Sequence, residues 1–560
     1  MAYHLFLIKP RSVYLFRDPA LFFQLQLFIR FSYDSMICFM LIWFFYAGKA
    51  AFRNLIQDAL TAGFETIIVS MKRIMNQGEN HLDYRVFDTS VQEIKYKVLK
   101  EVASLAWEDD LDRGLLHIAE KIMPGPKPTM RCCIYKERAI INERVKLAMG
   151  GDPDNPNVVE VLNIACDECP VDGIRVSEAC RGCIAHRCKN VCPKDAIEII
   201  DLKAHINPDR CIECGRCVAA CPYNAIAKMV RPCENACKVG AITMTEDKKA
   251  DIHDEKCISC GACVYQCPFG AISDRSFILE AINILKQAEN NTNYKVYAVV
   301  APAISSQFSG IKVEQVVAGI KRLGFFNVVE AALGADMTAY KEAEELYEKK
   351  FLTSSCCPAF VRYIKTAFPD LAQHISHNVS PMEEISTYLK KMDPDSKIIF
   401  IGPCIAKKME YKLPEVEGII DCVITFEELL ALLDSRGIDL NDMPEEPLDN
   451  ASYYGRIFAR SGGVSTAVAQ ALKEHGYDDF TCNPAVCNGI EECKVALLKA
   501  SRGILQENFI EGMACQDGCI GGAACITHGP KDKKQVDAYG NEAKETTIKE
   551  SIGILGMIRE

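Results

Sequence analysis

The sequence predicts an α/β region over residues 276–530, preceded by small α+β modules over 161–275 and a helical region over 71–160. Three patterns support this fold class. Apolar stretches of strand length alternate with helical stretches in the α/β region, a cysteine phrase recurs in the modules, and apolar residues recur at helical spacing before them. Residues 1–70 and 531–560 fall outside these patterns and are interpreted as an atypical apolar extension and a C-terminal tail.

Composition excludes several classes of protein. At 560 residues the chain is too long for one core. A net charge of -11 argues against nucleic acid as a partner. The 29 cysteines recur as Cys-x2-Cys-x2-Cys-x3-Cys-Pro, which is not the pattern of a short secreted disulfide scaffold. They favour metal clusters in a reducing compartment, and we therefore expect a cytoplasmic protein.

The apolar extension is strongest at Ile37–Tyr46. This run is shorter than the roughly 20 residues that cross a bilayer, and it lies too far along the chain for a signal peptide. Three interpretations remain open: a non-native extension with translation starting near Met71, a helix that lies on a membrane or binds a partner, and a membrane anchor. Membrane association is not expected, and no function is assigned to the extension.

The helical region begins near Asp88. Its apolar residues recur at three- and four-residue steps, as a helix with one buried face requires. They are Val91, Ile94, Val98, Val102 and Leu105. Further along, Cys132 and Cys133 have no evident ligand partners and are expected to be buried thiols.

Three cysteine runs repeat in the modules, each closed by Cys-Pro and followed by Ala-Ile. The spacing between the second and third cysteines is longer in the first run. The runs are Cys180, Cys183, Cys188 and Cys192; Cys211, Cys214, Cys217 and Cys221; and Cys257, Cys260, Cys263 and Cys267. Two shorter units, Cys166-x2-Cys169 and Cys233-x3-Cys237, lie outside the runs. This repeat resembles tandem bacterial-type ferredoxin modules.

The resemblance implies two to four accessory [4Fe–4S] clusters. In such modules three cysteines of one run hold a cluster, and the last cysteine of the partner run completes it. The expected groups are Cys180, Cys183, Cys188 with Cys221; Cys211, Cys214, Cys217 with Cys192; Cys257, Cys260, Cys263 with Cys237; and, as a possible fourth cluster, Cys166, Cys169, Cys233 with Cys267.

Three loops after the modules offer thiols to another cluster: Thr353–Pro358, Gly402–Lys407 and Glu511–Gly522. A cubane needs four thiolates, and the loops provide Cys404, Cys515, Cys519 and either Cys356 or Cys357. One thiol is left beside the cluster, where it can move protons. In residues and in order, these loops resemble the active-site signatures of the [FeFe] hydrogenases.

That resemblance implies an H-cluster between two lobes of the α/β region. In the family, this cofactor is a [4Fe–4S] cluster joined to a two-iron subsite with CO, cyanide and a bridging dithiolate. Its ligands would be Cys357, Cys404, Cys515 and Cys519, with the Cys519 sulfur bridging to the two-iron subsite. Lys407 is expected to donate to cyanide, and Cys356 to donate and accept the proton. The pocket wall would include Ala301, Pro302 and Met513.

A proton path is expected from the surface to Cys356. Glu342 and Glu345 share one face of a predicted helix because they are three residues apart. The flanking phrase resembles the family's proton-path helix, and Ser376 stands where the family has a path serine. The expected order is Cys356, Glu342, Ser376 and Glu345, with Lys349 at the mouth.

Several residues depart from the family pattern. Ala359-Phe360 replaces Gly-Trp, Gly402 replaces methionine, and Met382 replaces a glutamine near a metal-bound carbonyl. Cys525 introduces an additional thiol where relatives are glycine-rich, and it could lie near the site or simply be packed. These changes leave the expected ligands intact and indicate a divergent subgroup of the monomeric type.

The resemblance therefore implies an oxidoreductase that catalyses 2 H+ + 2 e− ⇌ H2. Ferredoxin or a similar one-electron carrier would supply electrons, and hydrogenase maturation proteins would assemble the cofactor. Two alternatives remain open. One is a hydrogen sensor with the same cofactor, and the other is an iron–sulfur assembly or electron-carrier protein without the two-iron subsite.

Overall fold

The computed structural model describes residues 83–169, 173–449 and 451–555. The apolar extension over 1–70 lies outside this range, and its three interpretations stay predictions. Among the described residues, no helix combines the length and the apolar character that crossing a bilayer requires.

Three helices form the N-terminal part of the described chain: α1 (Ser90–Trp107), α2 (Leu111–Ile122) and α3 (Ile134–Ala148). The Thr89 hydroxyl caps α1 by accepting a hydrogen bond from the backbone N–H of Gln92. The predicted apolar face is buried, with Val98 and Val102 at its centre. A helical N-terminal region is thus confirmed.

The adjacent thiols of this region lie at the start of α3. Cys133 is the N-cap residue of the helix and is half-buried, whereas Cys132 is exposed. Their Sγ atoms are 3.9 Å apart. The expectation of two buried thiols is wrong, because the turn before the helix holds Cys132 at the surface.

The cysteine-rich modules consist of short antiparallel ribbons and single-turn helices, which confirms their α+β class. In order they contain β1 (Val159–Val161), β2 (Gly173–Val176), α4 (Arg187–Asn190), β3 (Ile197–Ile200), β4 (Lys203–Ile206), α5 (Arg216–Ala220), β5 (Ile226–Met229), α6 (Pro232–Ala236), β6 (Ile242–Met244), β7 (Ala250–Ile252), α7 (Ala262–Gln266) and β8 (Ile272–Asp274). Strand β2 pairs with β5, β3 with β4, β6 with β7 and β1 with β8.

The two modules differ in how they are built into the protein. The first module, residues 173–230, has a core of its own that includes Ile174, Ile197 and Ile226. In the second module, Ile242 and Ile272 belong to the same core as the catalytic region. The first module is therefore the more independent unit.

Two parallel sheets organise the catalytic region, with strand orders β10-β9-β12-β13 and β11-β15-β14. The strands are β9 (Val296–Val300), β10 (Asn327–Glu330), β11 (Leu352–Thr353), β12 (Lys397–Gly402), β13 (Cys422–Thr425), β14 (Pro484–Asn488) and β15 (Phe509–Met513). Strands β9 and β12 are nearly continuous apolar runs, as strands covered on both faces require. The predicted α/β class and the two lobes are confirmed.

Helices cover both sheets. They are α8 (Ile278–Gln287), α9 (Val313–Arg322), α10 (Ala331–Lys349), α11 (Pro358–Ala367), α12 (Pro381–Met392), α13 (Lys407–Glu410), α14 (Phe426–Ser435), α15 (Tyr453–Arg456), α16 (Gly463–Glu474) and α17 (Ile490–Ser501). The C-terminal segment adds α18 (Asp532–Asn541) and α19 (Ile548–Gly553). Val536, Ile548 and Ile552 are buried, so this segment packs on the catalytic region through apolar side chains.

A buried ion network joins the N-terminal helices, the second module and the catalytic region. Lys95 of α1 lies 2.5 Å from Asp274 of β8 and 2.5 Å from Glu427 of α14. Lys408 of α13 lies 2.9 Å from both Asp274 and Glu428. Buried charges are tolerated only when they are paired, so these contacts fix the relative positions of the three regions.

Candidate functional site

Each half of the first module encloses a cavity lined by four cysteines. One is lined by Cys180, Cys183, Cys188 and Cys221, and the other by Cys192, Cys211, Cys214 and Cys217. These are the groups expected from the ferredoxin-like repeat. Within the described residues, no three histidine, cysteine or carboxylate side chains close around a point as a single-ion site does. Four thiols around a cavity instead fit a cluster of several irons.

The Ala-Ile phrase that follows each run, and that also follows Cys237, has a local role. The backbone N–H of its alanine donates a hydrogen bond to the sulfur of the last cysteine, an interaction that favours the thiolate. The isoleucine that follows is buried in every case. The bonds are Ala196 N to Cys192 Sγ (3.3 Å), Ala225 N to Cys221 Sγ (3.4 Å), Ala241 N to Cys237 Sγ (3.2 Å) and Ala271 N to Cys267 Sγ (3.2 Å).

The second module brings together the thiols expected for the third cluster. Burial, followed by the neighbouring thiols of Cys257 and Cys237, raises the pKa of Cys260 to about 12. Burial and the thiols of Cys260, Cys257 and Cys237 likewise raise the pKa of Cys263 well above its usual value, and Cys233 of the neighbouring group adds a smaller contribution. These four side chains therefore face one another.

Three of the four thiols expected for the fourth cluster also lie close together. Burial, then Cys267 and Cys166, raise the pKa of Cys233 to about 12. The backbone N–H of Ala250 donates to Cys166 Sγ at 3.3 Å. Cys169 follows Cys166 by three residues and is half-buried. Two units that are distant in sequence thus supply one group of cysteines.

The cysteine loops come from the ends of strands in both sheets: β11 and β15 are parallel neighbours that end at the same edge of one sheet, and β12 belongs to the other. Cys404 follows β12, Cys515 follows β15, and Cys357 is the N-cap residue of α11 after β11. Cys519 lies in the 3-10 helix Gly518–Gly521. A Cβ atom on Gly522 would lie 2.5 Å from the carbonyl oxygen of Pro403, so only glycine allows these two loops to touch.

The four expected ligand thiols lie close to one another and are half-buried. Burial and then the neighbouring Cys357 thiol raise the pKa of Cys404 to about 11. Burial, then Cys404 and Cys357, raises the pKa of Cys519 to about 12. Cys515 is raised well above its usual pKa by burial, Cys404 and Cys357, and Cys260 contributes as well. Four thiolates could not coexist here without a compensating cation, and an iron cluster supplies that charge.

Cys356 lies beside a buried carboxyl group. Glu342 is fully buried on α10, and its Oε1 accepts hydrogen bonds from the backbone N–H and hydroxyl of Ser355, both at 3.2 Å. Its Oε2 has no hydrogen-bond partner within the described residues. Burial raises the pKa of Glu342 to about 7. Burial and then Glu342 raise the pKa of Cys356 well above its usual value.

Ser376 and Glu345 continue the path towards the surface. The Ser376 hydroxyl donates to Glu345 Oε2 at 2.9 Å and lies close enough to Glu342 to lower its pKa. Burial opposes ionisation of Glu345, but hydrogen bonds from Lys349, His377 N and Ser376 outweigh it and lower the pKa of Glu345. Cys356, Glu342, Ser376 and Glu345 therefore form a row of neighbouring side chains.

The adjacent lysines of α13 point to different surroundings. Lys407 Nζ lies 2.6 Å from Glu410 Oε2, yet the approach is not along a hydrogen-bonding direction, and neither atom has a hydrogen-bond partner within the described residues. The Lys407 side chain is close to the Cys404 and Cys356 thiols. Lys408 is instead engaged in the buried ion network. A buried ammonium with unused donors beside the thiols fits an anionic cofactor.

The expected wall residues lie at strand ends. Ala301 follows β9, Pro302 begins the 3-10 helix Pro302–Ser306, and Met513 is the last residue of β15 and is buried. A Cβ atom on Gly512 would lie within 2.3 Å of three atoms of the Phe360 ring, so the replacement for tryptophan is packed on the strand that carries Met513.

Comparison with known proteins follows the same division of the chain. The description "Iron only hydrogenase large subunit, C-terminal domain" matches residues 294–523, and two 4Fe-4S binding descriptions match 204–227 and 231–271. Iron hydrogenase 1 of Clostridium pasteurianum is 30% identical over 412 residues, which is 63% of this chain and 70% of that protein. The chain belongs to the iron-only hydrogenase family.

Other relatives within and beyond the hydrogenases are more distant. The NADP-reducing hydrogenase subunit HndD of Solidesulfovibrio fructosivorans is 28% identical and covers 57% of this chain, and the match spans 56% of HndD. The cytosolic Fe-S cluster assembly factor narfl of Xenopus tropicalis is 25% identical over 46% of this chain and 68% of its own length. A solved [FeFe]-hydrogenase HydA1 variant of Chlamydomonas reinhardtii matches 50% of this chain and 93% of that structure, with 22% identity and a TM-score of 0.43.

Sequence reasoning missed several residues of this iron-only hydrogenase relative. Ser355, beside the Cys356-Cys357 pair, could have been noticed from its position. Asn378 donates to Glu345 Oε2 at 2.9 Å, but nothing in the sequence connects these two residues. Cys525 is fully buried, and its thiol contacts the carbonyl oxygens of Ile520 at 3.3 Å and of Cys519 at 3.6 Å, so it is packed and also lies beside the site.

Proposed function

We propose that the chain is an [FeFe] hydrogenase that catalyses 2 H+ + 2 e− ⇌ H2 at an H-cluster. Cys357, Cys404, Cys515 and Cys519 would hold the cofactor, which when bound supplies the irons where electrons and protons combine. The observation that carries the proposal is the buried row from Cys356 through Glu342 to Glu345. A site that only stored or passed electrons would not need a proton path.

The path residues have complementary roles. Cys356 donates and accepts the proton beside the cofactor. Glu342 exchanges protons with Cys356, because burial raises the pKa of Glu342 to about 7. Ser376 relays between Glu342 and Glu345, since a hydroxyl can accept and donate at once. Glu345 stays ionised near the surface, where Lys349 lies 2.7 Å from its Oε1.

The remaining pocket residues orient the cofactor. The Lys407 ammonium has donors available for a cyanide ligand, because it carries three N–H groups and its contact with Glu410 Oε2 occupies at most one of them. Ala301, Pro302 and Met513 form apolar wall, which excludes water from the reacting centre.

Electrons would reach the site through the accessory clusters. The Cys260 thiol is near both Cys357 and Cys515, so the third cluster adjoins the catalytic one. A ferredoxin or similar one-electron carrier would reduce the modules in a reducing cytoplasm, and hydrogenase maturation proteins would install the two-iron subsite.

Iron–sulfur assembly is the second candidate function, because assembly factors are among the relatives at 25% identity. Such a protein would hold [4Fe–4S] clusters and use the four catalytic-loop thiols without a two-iron subsite. A buried carboxyl with a pKa of about 7 has no evident use in that role. A hydrogen sensor would retain the complete site but turn over slowly.

Anaerobic maturation followed by infrared spectroscopy tests the proposal. Bands of metal-bound CO and cyanide, together with H2 evolution from reduced methyl viologen, are expected. Bands without turnover would favour the sensor, and the absence of bands from a sample with a full complement of [4Fe–4S] clusters would favour the assembly or carrier protein.

A further inference from the structure

The chain enters and leaves the first module at the same end of one ribbon. Its first strand residue, Gly173, pairs with Met229 at the end of its last strand. A Cβ atom on Gly173 would lie 3.5 Å from Glu213, which precedes Cys214, and Ile174 lines the Cys214 cavity. The attached end therefore carries the second cluster site.

The Cys180 cavity lies at the opposite end. In the same ribbon Val176 pairs with Ile226, and Ile226 lines the cavity of Cys180, Cys183, Cys188 and Cys221. Of the two cysteine cavities in the first module, it is the one farther along the ribbon from Gly173 and Met229. It is the natural end of an electron path that leads inward.

The loop between Cys183 and Cys188 is two residues longer than in the other two runs. It passes through His186, whose φ is 42°, and it carries Ile184, whose side chain is 97% exposed. The lengthened loop thus presents an apolar side chain beside the outermost cluster site.

Leu202 is a second exposed apolar residue at this end. It is 79% exposed at the tip of the β3–β4 hairpin, and Gly182 packs directly on its backbone. The turn places Asp201 at φ 47° and Leu202 at φ 61°. Turns with two positive φ values favour Asn-Gly, so leucine is conformationally unfavourable here. A strained, exposed leucine indicates a use other than folding.

The surrounding charge is opposite to that of the protein as a whole. Residues 173–230 contain nine Lys and Arg against six Asp and Glu, a net charge of +3, whereas the whole chain carries -11. Arg181 and Arg187 are exposed and border the Cys180 cavity. Within the described residues neither forms an ion pair, whereas the nearby Glu178 is paired with Lys203. The free charges at this end are therefore predominantly positive, although Asp201 is also exposed.

We propose that these residues form a docking surface for a small, acidic, one-electron carrier protein with an iron–sulfur cluster near its own surface. The surface, here called the distal face, consists of Arg181, Ile184, Arg187, Leu202 and Tyr223, the last of which is 54% exposed and lines the cavity. An apolar centre with a cationic rim is the composition of a transient protein interface. The proposal rests on the proposed function and specifies where its electrons arrive.

The test compares two electron donors on the matured, full-length protein. Methyl viologen is small and needs no docking, whereas an acidic bacterial ferredoxin with two [4Fe–4S] clusters does. Arg181→Glu with Arg187→Glu should raise the KM for reduced ferredoxin about tenfold and leave viologen-driven H2 evolution unchanged. Arg113→Glu with Lys127→Glu is the matched charge control, because both side chains are exposed and neither forms an ion pair within the described residues, and it should leave both activities unchanged.

The apolar part of the distal face has its own variants. Ile184→Ser and Leu202→Gly should each raise the KM for ferredoxin several-fold, and Leu116→Ser on α2, where Leu116 is 80% exposed, should not. Leu202→Gly should also leave the protein at least as stable to heat, because glycine suits the turn. Iron content identifies any variant that has lost a cluster.

Stopped-flow reduction of the accessory clusters by ferredoxin separates this proposal from the proposed function, since it requires no H2 turnover. Slower reduction of the distal-face variants at unchanged iron content supports the docking surface even if the wild type evolves no H2. Equal rates for wild type, distal-face variants and controls at low ionic strength would overturn it.

Discussion

Glu342 and Glu345 stand three residues apart on α10, yet their environments move their pKa values in opposite directions. Burial raises the pKa of Glu342 to about 7, whereas hydrogen bonds from Lys349, His377 N and Ser376 overcome burial and lower that of Glu345. Ser376 lies between them and donates to Glu345 at 2.9 Å. One carboxyl can therefore exchange protons near neutral pH, while the other remains a fixed acceptor.

Glu342→Gln should lower H2 evolution by about 100-fold or more, because an amide cannot exchange the proton that Cys356 needs. Iron content and the infrared bands of the matured cofactor should be unchanged. Glu344→Gln, an exposed position on the same helix, is the matched control and should retain activity. Similar activity in Glu342→Gln and wild type would remove Glu342 from the path.

The raised pKa of Glu342 should also appear in stability. Its folded-state pKa of about 7 exceeds the usual 4.5, so between these values the folded state binds more protons than the unfolded state. The free energy of unfolding then falls as pH rises through this window, by about 3 kcal/mol when the shift is converted at 1.36 kcal/mol per unit. Glu342→Gln should abolish this fall in the free energy of unfolding, because glutamine does not titrate.

The measurement is a denaturant titration of cofactor-free wild type and Glu342→Gln at several pH values. The two proteins should be about equally stable near pH 4.5, and the variant should be more stable by about 3 kcal/mol above pH 7. A stability difference that does not change with pH would mean that Glu342 is not protonated in the folded protein.

The fold could be predicted because its signals are periodic. Continuous apolar runs predict the strands β9 and β12, and apolar residues at helical spacing predict α1. The cysteine repeat also predicted which thiols lie close together, including Cys166 with the distant Cys233 and Cys267. Local pattern suffices here because each run repeats the same geometry.

Contacts made only by tertiary packing could not be predicted. Asn378 donates to Glu345, which lies 33 residues earlier in the chain. Lys408 of the α/β region pairs with Asp274 of the second module. Neither Asn378 nor Lys408 belongs to a sequence motif that predicts its partner. The exposure of Cys132 was not predicted, because a turn at the start of a helix has no periodic pattern of apolar residues that separates buried from exposed positions.

Lys408→Met should destabilise the protein without touching the proton path. The Lys408 side chain is fully buried and lies 2.9 Å from Asp274 and from Glu428. Its loss leaves Glu428 buried without a cation and Asp274 with Lys95 as its remaining cation. Removing one member of a buried pair costs about 3 to 5 kcal/mol. Thermal unfolding measures this loss.

Lys412→Met, at an exposed position in the same segment, is the control and should change the melting temperature little. Lys407→Met provides the contrast, since it should mainly weaken the cyanide infrared bands and H2 evolution. If Lys408→Met were as stable as wild type, the network would not hold the three regions together.

Cysteine replacements in the second module should separate its two groups of thiols. Cys233→Ser and Cys267→Ser remove members of the group that includes Cys166, whereas Cys237→Ser removes a member of the group around Cys263. Each variant should lose about four irons, one [4Fe–4S] cluster. The electron paramagnetic resonance signal lost from Cys233→Ser and Cys267→Ser should be the same, and that lost from Cys237→Ser should be different.

Cys237→Ser should also slow viologen-driven H2 evolution most, because the Cys260 group adjoins Cys357 and Cys515. Cys132→Ser is the control, since this exposed thiol belongs to neither group and its loss should change neither iron content nor signals. If Cys233→Ser and Cys237→Ser lost the same signal, the two thiols would serve one cluster, and the chain would hold three accessory clusters rather than four. Electrons would then cross the second module through a single cluster.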